Sequence, residues 1–315
     1  MTNVYLIAVE TDPVANVVDS IFIDVPDYRR VTIREFDDMV FGVGDVLLLG
    51  SVSPLSDSAE TPNLPLHGLT QYLGCRPPSA VLDHASESNA IVAGISPLIA
   101  ARVANRVIGF TGPLTVKPMP QWGVIGLGEV GCEVVRKVTA IRASAVVTDI
   151  RTPRTGILDE LGVRRQTLDL LMSRADVISI HVHAGPTAAP LISQRELGLM
   201  KPEAVVINTS DESVVDERAV LAALERGDIA GYATDCPGGA ITNAGDSLEL
   251  SGKLIITTNP LTNQIGAAQQ IAKYVQGNIE AFISGSNVQG RFEPLHFPTI
   301  GDPSFWSSRM SPRQD

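Results

Sequence analysis

The sequence predicts an α/β protein whose larger part is a doubly wound parallel sheet, and three observations lead to this fold class. A glycine-rich turn joins a short apolar run to an amphipathic helical pattern at residues 124–141. From residue 121 onward, β-prone runs alternate with helical patterns, as expected for parallel strands joined by crossover helices. The chain has 315 residues, which is enough for two domains.

The turn at residues 124–131 reads Val-Ile-Gly-Leu-Gly-Glu-Val-Gly, the G-x-G-x-x-G spacing of a Rossmann-type nucleotide site. Gly126 permits the tight turn, Gly128 lets a pyrophosphate approach the backbone, and Gly131 lets the helix pack close to the sheet. The free N–H groups and the positive dipole end of the helix then face the phosphates. The motif therefore predicts a bound dinucleotide.

The next β-prone run ends in an acidic residue, which indicates which dinucleotide is bound. Asp149 lies 18 residues after the last glycine, where it can accept hydrogen bonds from the adenosine ribose and would repel a 2′-phosphate. We expect NAD(H) as the cofactor and NADP less, although Arg151 follows two residues later. The cofactor-binding residues predicted from this region are Gly126, Leu127, Gly128, Glu129, Val130, Gly131, Asp149, Ile150 and Arg151.

The composition excludes several classes of partner. The formal net charge is −11, which argues against nucleic acid or an anionic membrane as the main partner. The three cysteines, Cys75, Cys132 and Cys236, are scattered without metal-ligand spacing, so we expect reduced thiols and no metal site. The N-terminus shows neither a signal peptide nor a transmembrane segment, and we expect a cytoplasmic protein.

The N-terminal part gives weaker signals. Residues 4–9 and 46–49 read as short buried strands, and residues 20–25 as one more strand. Residues 53–80 are rich in proline, serine and glycine and are predicted as loops. Residues 86–106 are helix-like, with Pro97 expected to kink or split the helix. Residues 109–120 are predicted as a linker.

From residue 121 the predicted elements follow one another closely. Thr167 can cap a short helix, Ser193 opens a capping box with Glu196, and Asp216 caps a helix that Gly227 ends. Strands are expected at residues 177–182, 204–208, 229–234 and 254–258. The last long helix is predicted at about residues 266–283.

These motifs together resemble the D-2-hydroxyacid dehydrogenase family, the group that includes D-3-phosphoglycerate dehydrogenase. The resemblance covers residues 121–284 and is carried by the segments 124–131, 175–182, 199–210, 215–217 and 229–235. It implies a Rossmann-type cofactor domain, here residues 96–269, and a smaller flavodoxin-like α/β substrate domain from residues 1–95 and 270–315. It also implies an active site in the cleft between the two domains.

The resemblance implies further residues at the cofactor. Asp235 matches the aspartate that contacts the nicotinamide carboxamide, and Thr209 and His181 match positions where the backbone passes the cofactor. The resemblance also implies a homodimer, although the stretch between Arg106 and Gln121 is shorter than the family's dimerisation arm.

The catalytic positions of the family are not matched. The family reduces 2-keto acids with an arginine that binds the substrate carboxylate, a histidine that moves the proton and a glutamate that orients the histidine. This sequence has Asp211, Asn259 and Ala240, respectively, at those positions. His183 stands where the family has proline and is a candidate replacement acid/base. The candidate catalytic residues are therefore Asp211, His183 and Asn259.

Three hypotheses follow from this mismatch. The first is an NAD-dependent oxidoreductase acting on a small-molecule substrate that is not a simple 2-keto acid. The second is a catalytically silent NAD(H)-binding sensor or scaffold. The third is a non-redox enzyme, or one that recycles a tightly bound NAD in place.

Overall fold

The computed structural model describes residues 2–32, 35–36, 39–50, 64–74, 81, 90–114, 117–150, 156–182, 189–243, 252–257 and 265–292. These residues form two compact units. One unit lies within Met1–Ile99 and Pro260–His296, and the other within Ala100–Asn259.

The described residues contain strands and helices in alternation. The strands are β1 (Val4–Ile7), β2 (Tyr28–Val31), β3 (Val46–Leu49), β4 (Leu69–Tyr72), β5 (Ile91–Ala93), β6 (Gln121–Ile125), β7 (Ser144–Thr148), β8 (Arg164–Arg165), β9 (Val177–Ile180), β10 (Val205–Asn208), β11 (Gly231–Thr234) and β12 (Leu254–Ile256). The α-helices are α1 (Pro13–Phe22), α2 (Ser96–Phe110), α3 (Glu129–Ala140), α4 (Ile157–Leu161), α5 (Leu168–Arg174), α6 (Gln194–Leu197), α7 (Glu217–Arg226), α8 (Gly239–Thr242) and α9 (Ile265–Ile283). A 3-10 helix covers Glu212–Val214.

The first unit is built on a five-stranded parallel sheet in the order β2-β1-β3-β4-β5. Helices α1 and α9 pack against each other beside it. A buried polar network ties α9 to the sheet, because the Asn278 amide donates to Gln71 Oε1 at 2.7 Å and to the Gln289 carbonyl at 3.0 Å. This network satisfies polar groups that would otherwise be costly to bury.

Several predictions for the first unit were wrong. The strand expected at residues 20–25 is absent, since this stretch contains the end of α1. That helix begins after Asp12, whose carboxylate accepts the N–H groups of Val14 and Ala15 at 3.0 Å, with Pro13 in its first turn. Strand β4 lies inside the stretch predicted as loops.

The helix predicted over residues 86–106 also differs. A strand, β5, ends at Ala93, and α2 begins only at Ser96. Pro97 therefore lies in the first turn of α2, where a backbone N–H would have no partner within the helix. It does not kink a longer helix. The helix continues to Phe110, inside the stretch predicted as a linker.

The second unit confirms the α/β class and the doubly wound sheet. Its seven-stranded parallel sheet has the order β12-β11-β10-β9-β6-β7-β8. The strand order reverses between β6 and β9, because the chain runs outward from β6 to β8 and then returns to β9 on the other side. The predicted caps at Thr167, Ser193 and Asp216 are confirmed, as is the glycine end of α7 at Gly227, in the left-handed region.

One core cluster of the second unit consists of apolar side chains from one face of this sheet and from the helices that cover it. Those with no exposed surface include Ile125, Leu171, Ile178, Val206 and Leu224. Over the residues that the structure describes, no helix is long and apolar enough to cross a membrane.

Candidate functional site

The parallel sheet of the second unit brings the sequence-predicted residues to one edge. In the strand register, Ile125 pairs with Thr148 and with Ile180, and Asn208 pairs with Ile180 and with Thr234. The next residue in each of these strands therefore lies at the same level, at the carboxyl edge of the sheet. These residues are Gly126, Asp149, His181, Thr209 and Asp235. Ligands of open α/β sheets bind at this edge, where the strand order reverses.

The glycine turn has the geometry that a dinucleotide needs. Gly126 has φ +93°, and a Cβ there would lie 2.3 Å from the His181 carbonyl oxygen. A Cβ on Gly131 would lie 1.9 Å from the Gly126 carbonyl oxygen. Gly128 is the N-cap of α3, and no hydrogen bond from a side chain caps that helix. The backbone therefore leaves a cradle that side chains would fill, at the positive end of a helix.

Asp149 holds this turn in place. The residue is 5% exposed, and its Oδ2 accepts the Leu127 N–H at 2.7 Å. Arg165, on the edge strand β8, donates to the Asp149 carbonyl at 2.5 Å. The acid predicted to bind the ribose is thus also part of the structure of the glycine turn.

The other predicted cofactor-binding residues lie close in sequence to the hydrogen bond between Leu127 and Asp149. Leu127, Gly128 and Val130 are partly exposed, Glu129 is exposed, and Ile150 packs partly buried on the core. They are therefore accessible at the edge of the sheet. Arg151, predicted to lie near the ribose, is outside the described residues.

His181 is a neutral imidazole at the middle of the row. Burial lowers its pKa to about 3, and its Nε2 shares a hydrogen bond with Ser179 Oγ. The backbone N–H of His181 donates to the Ile125 carbonyl at 2.7 Å, and this bond fixes the backbone beside Gly126. At neutral pH the imidazole is therefore uncharged and cannot act as an imidazolium acid.

The turn after β10 holds Thr209 and Asp211. Thr209 Oγ1 is buried and has no hydrogen-bond partner among the described residues, which suits a donor from a bound molecule. Asp211 Oδ1 accepts Ser213 N–H at 2.9 Å and Ser213 Oγ–H at 2.6 Å, and so caps the 3-10 helix. The Asn208 amide donates to the Asp211 carbonyl at 2.8 Å.

Asp235 forms an ion pair that the sequence did not reveal. Arg106 Nη1, on α2, lies 2.8 Å from Asp235 Oδ2, and the two side chains are 18% and 15% exposed. Burial raises the pKa of Asp235, and the hydrogen bond from Arg106 opposes that rise. The two residues are 129 positions apart, and nothing local in the sequence joins them.

Glu217 was part of a matched motif, but its role was also missed. Its buried carboxylate accepts the N–H groups of Gly238, Ala240 and Ile241 at 2.6, 3.1 and 3.0 Å. A Cβ on Gly238 would lie 2.8 Å from Glu217 Oε2. The N-terminus of α8, which contains Ala240 at the position that the resemblance assigns to the family's glutamate, is therefore anchored from α7.

Other candidates lie elsewhere. His183 and Asn259 are outside the described residues.

Burial raises the pKa of Cys236 to about 12, so this thiol stays protonated at neutral pH. Within the described ranges, no group of three or more His, Cys, Asp or Glu side chains could hold a metal ion.

Comparison with known proteins agrees with the site. Residues 118–258 match the model of the D-isomer specific 2-hydroxyacid dehydrogenase, NAD binding domain. The chain is 38% identical over 115 residues to D-3-phosphoglycerate dehydrogenase of Synechocystis sp., a match that covers 36% of the chain and 20% of that protein. It is 30% identical over 166 residues to glycerate dehydrogenase of Methylorubrum extorquens, covering 52% and 50%. The chain thus spans half or less of the length of both relatives.

Solved structures share the fold over more of the chain. D-lactate dehydrogenase from Aquifex aeolicus, complexed with NAD and lactic acid, has a TM-score of 0.69 at 20% sequence identity. That match covers 93% of this chain and 98% of the other. The two-unit α/β architecture is therefore that of known dehydrogenase structures.

Proposed function

Because residues 118–258 match the NAD binding domain of the D-isomer specific 2-hydroxyacid dehydrogenases, we propose that this chain is an NAD(H)-dependent oxidoreductase of that family with altered catalytic residues. Its substrate is a small molecule other than a simple 2-keto acid. Two observations carry the proposal: the dinucleotide cradle formed by the Gly126 turn and Asp149, and the acidic residue Asp211 at the position of the family's substrate-binding arginine. In this proposal the second unit holds the cofactor and the first supplies the substrate domain.

The cofactor assignment rests on the turn at Gly126. The dinucleotide pyrophosphate would lie on the N–H groups at the start of α3, and the ribose hydroxyls beside the Asp149 carboxylate. Thr209 Oγ1 and the backbone at His181 would border the nicotinamide half. When bound, the nicotinamide supplies or accepts a hydride.

The preference for NAD(H) over NADP(H) follows from charge. A 2′-phosphate beside the ribose would meet the Asp149 carboxylate, whose Oδ2 is fixed at 2.7 Å from the Leu127 nitrogen. Arg165 is a cation near this position, but its guanidinium donates to the Asp149 carbonyl. We therefore propose weaker NADPH binding without complete exclusion.

The substrate assignment follows from Asp211. A carboxylate at the arginine position repels a substrate carboxylate that the arginine would attract. Ala240 offers no carboxylate to orient a proton-carrying group, and His181 is neutral because its pKa is about 3. A substrate with an amine, a guanidine or several hydroxyls fits a carboxylate at residue 211 better.

A catalytically silent NAD(H)-binding protein is the second candidate. The observation that favours it is that Asp211 Oδ1 is already engaged by both the N–H and the hydroxyl of Ser213. An acid that caps a 3-10 helix is less available for substrate or proton transfer. In this case NADH binds and no substrate turns over.

Turnover measurements separate the two candidates. NADH oxidation is followed with pyruvate, hydroxypyruvate and 3-phosphohydroxypyruvate, and NAD⁺ reduction with a panel of amines, guanidines and polyols. The proposal expects no activity on the three keto acids and activity within the panel. Robust turnover of a keto acid contradicts it, whereas tight NADH binding with no turnover of any compound supports the silent alternative. Sedimentation of the same protein tests the expected homodimer.

A further inference from the structure

The ion pair between Arg106 and Asp235 lies at the edge of the sheet where the nicotinamide half of a dinucleotide is expected to bind. Asp235 follows β11, on the opposite side of the strand-order reversal from Asp149 after β7. A dinucleotide that spans this reversal places its adenosine half at Asp149 and its nicotinamide half toward β9–β11. Asp235 would therefore lie on the nicotinamide side of a bound dinucleotide, where its charge could act on the ring.

The two redox forms of the cofactor differ by one charge at this ring. The oxidised nicotinamide is a cation and the reduced ring is neutral. A carboxylate without a counter-ion near the ring would stabilise the oxidised form by Coulomb attraction. Solvent screens these charges only weakly, since the side chains of Asp235 and Arg106 are 15% and 18% exposed.

Arg106 cancels that attraction. Its Nη1 lies 2.8 Å from Asp235 Oδ2, and it is the group that acts on the Asp235 carboxyl as an opposing charge. The neighbouring carboxylates, Glu212 and Glu217, act on Cys236, the next residue. Without Arg106, Asp235 would therefore add an uncompensated negative charge to a region that already contains these two carboxylates.

We propose that Arg106 is a specificity-determining residue, which neutralises Asp235 and thereby shifts binding toward NADH and away from NAD⁺. This inference rests on the proposed cofactor binding. It concerns the ratio of two dissociation constants, in which contacts common to both redox forms cancel.

A charge cycle tests the inference. The dissociation constants of NADH and NAD⁺ are measured by calorimetry at pH 9 for the wild type, Arg106→Met, Asp235→Asn and the double variant. The high pH keeps Asp235 ionised when its cation is removed. Arg106→Lys is the matched control that keeps the charge, and thermal unfolding confirms that each variant is folded.

The expected results follow the net charge of the pair. Arg106→Met leaves a lone carboxylate, so the ratio Kd(NAD⁺)/Kd(NADH) falls about three- to tenfold. Asp235→Asn leaves a lone cation, so the ratio rises by a similar factor. The double variant and Arg106→Lys keep a ratio within about twofold of the wild type, a pattern that a merely structural role would not produce.

Two other outcomes overturn the inference. If the wild type binds both forms and the ratio is the same in all variants, Arg106 does not tune the redox preference while the proposed function stands. If the wild type binds neither form, the proposed cofactor function and this inference fall together. If one single variant does not fold, the other still tests the inference, because each removes one charge of the pair and should shift the ratio in the opposite direction.

Discussion

The carboxylate of Asp149 accepts the backbone N–H of Leu127 at 2.7 Å, so the acid after β7 holds the turn after β6. The residue that is expected to read the ribose thus also shapes the surface that is expected to hold the pyrophosphate. Changes at this one side chain should therefore affect stability and cofactor binding together, and different substitutions should separate the two effects.

Replacement of Asp149 by alanine should weaken NADH binding at least tenfold. The variant loses the ribose acceptor and also leaves the Leu127 N–H without its partner, which costs about 1–3 kcal/mol of unfolding free energy. Asp149→Asn keeps an acceptor oxygen and loses the charge. The difference between its affinities for NADH and NADPH should therefore be smaller than in the wild type. Calorimetry and urea unfolding measure both; unchanged NADH affinity in the alanine variant would refute the ribose role.

A Cβ at Gly131 should destabilise the second unit. Gly131→Ala puts a methyl group 1.9 Å from the Gly126 carbonyl oxygen, so the helix must move away from the glycine turn, at a cost of about 2 kcal/mol or more. Gly109→Ala is the matched control, because a Cβ there meets nothing within 4 Å and alanine favours the helix. Urea unfolding should show a loss for the first and a small gain for the second; equal effects would contradict the close approach of α3.

The Glu217 carboxylate should be a main support of the N-terminus of α8, where it accepts the N–H groups of Gly238, Ala240 and Ile241. Glu217→Ala removes the acceptor of three N–H groups, and we expect a loss of about 2–4 kcal/mol. Glu217→Gln keeps one acceptor and should lose less. Asp216→Ala, which removes the N-cap of the same helix, should lose about 1 kcal/mol and serves as the comparison. A Glu217→Ala loss no larger than the Asp216→Ala loss would show that the three contacts contribute little.

His181 should make stability fall in mild acid. Burial lowers its pKa in the folded protein to about 3, below the value of about 6.5 expected in the unfolded chain. Between these values the unfolded chain binds the additional proton, so stability is complete above about pH 6.5 and declines as the pH falls toward 3. The slope contributed by this group is at most about 1.4 kcal/mol per pH unit.

The variant His181→Gln isolates this contribution. It should flatten the pH dependence of the urea midpoint between pH 6.5 and 4, while other acidic groups keep their effect. Parallel curves for wild type and variant would mean that His181 is accessible to protons in the folded protein.

The glycine turn and its contact with Asp149 could be predicted because the sequence signals for them are local. Gly126, Gly128, Gly131 and Asp149 lie within 24 residues of sequence, and each has a steric or charge requirement that few other residues meet. The caps at Ser193 and Asp216 are local in the same way, and the structure has both.

The parts that were missed depend on contacts between distant residues. Strand β4 contains Thr70 and Gln71, which are fully buried, and Gln71 is accommodated by Asn278, 207 positions away. The Arg106–Asp235 pair has the same character. Helix α1 is a different case, because its Asp12-Pro13 start signal is local but was not used in the prediction of a strand at residues 20–25.

The most direct test of the central claim is a calorimetric titration of NADH and, in parallel, NADPH into the purified protein. The proposed function predicts saturable binding of NADH at one site per chain and weaker binding of NADPH. Binding of neither dinucleotide would contradict it, and would mean that the Gly126 turn and Asp149 keep the family's architecture without its cofactor.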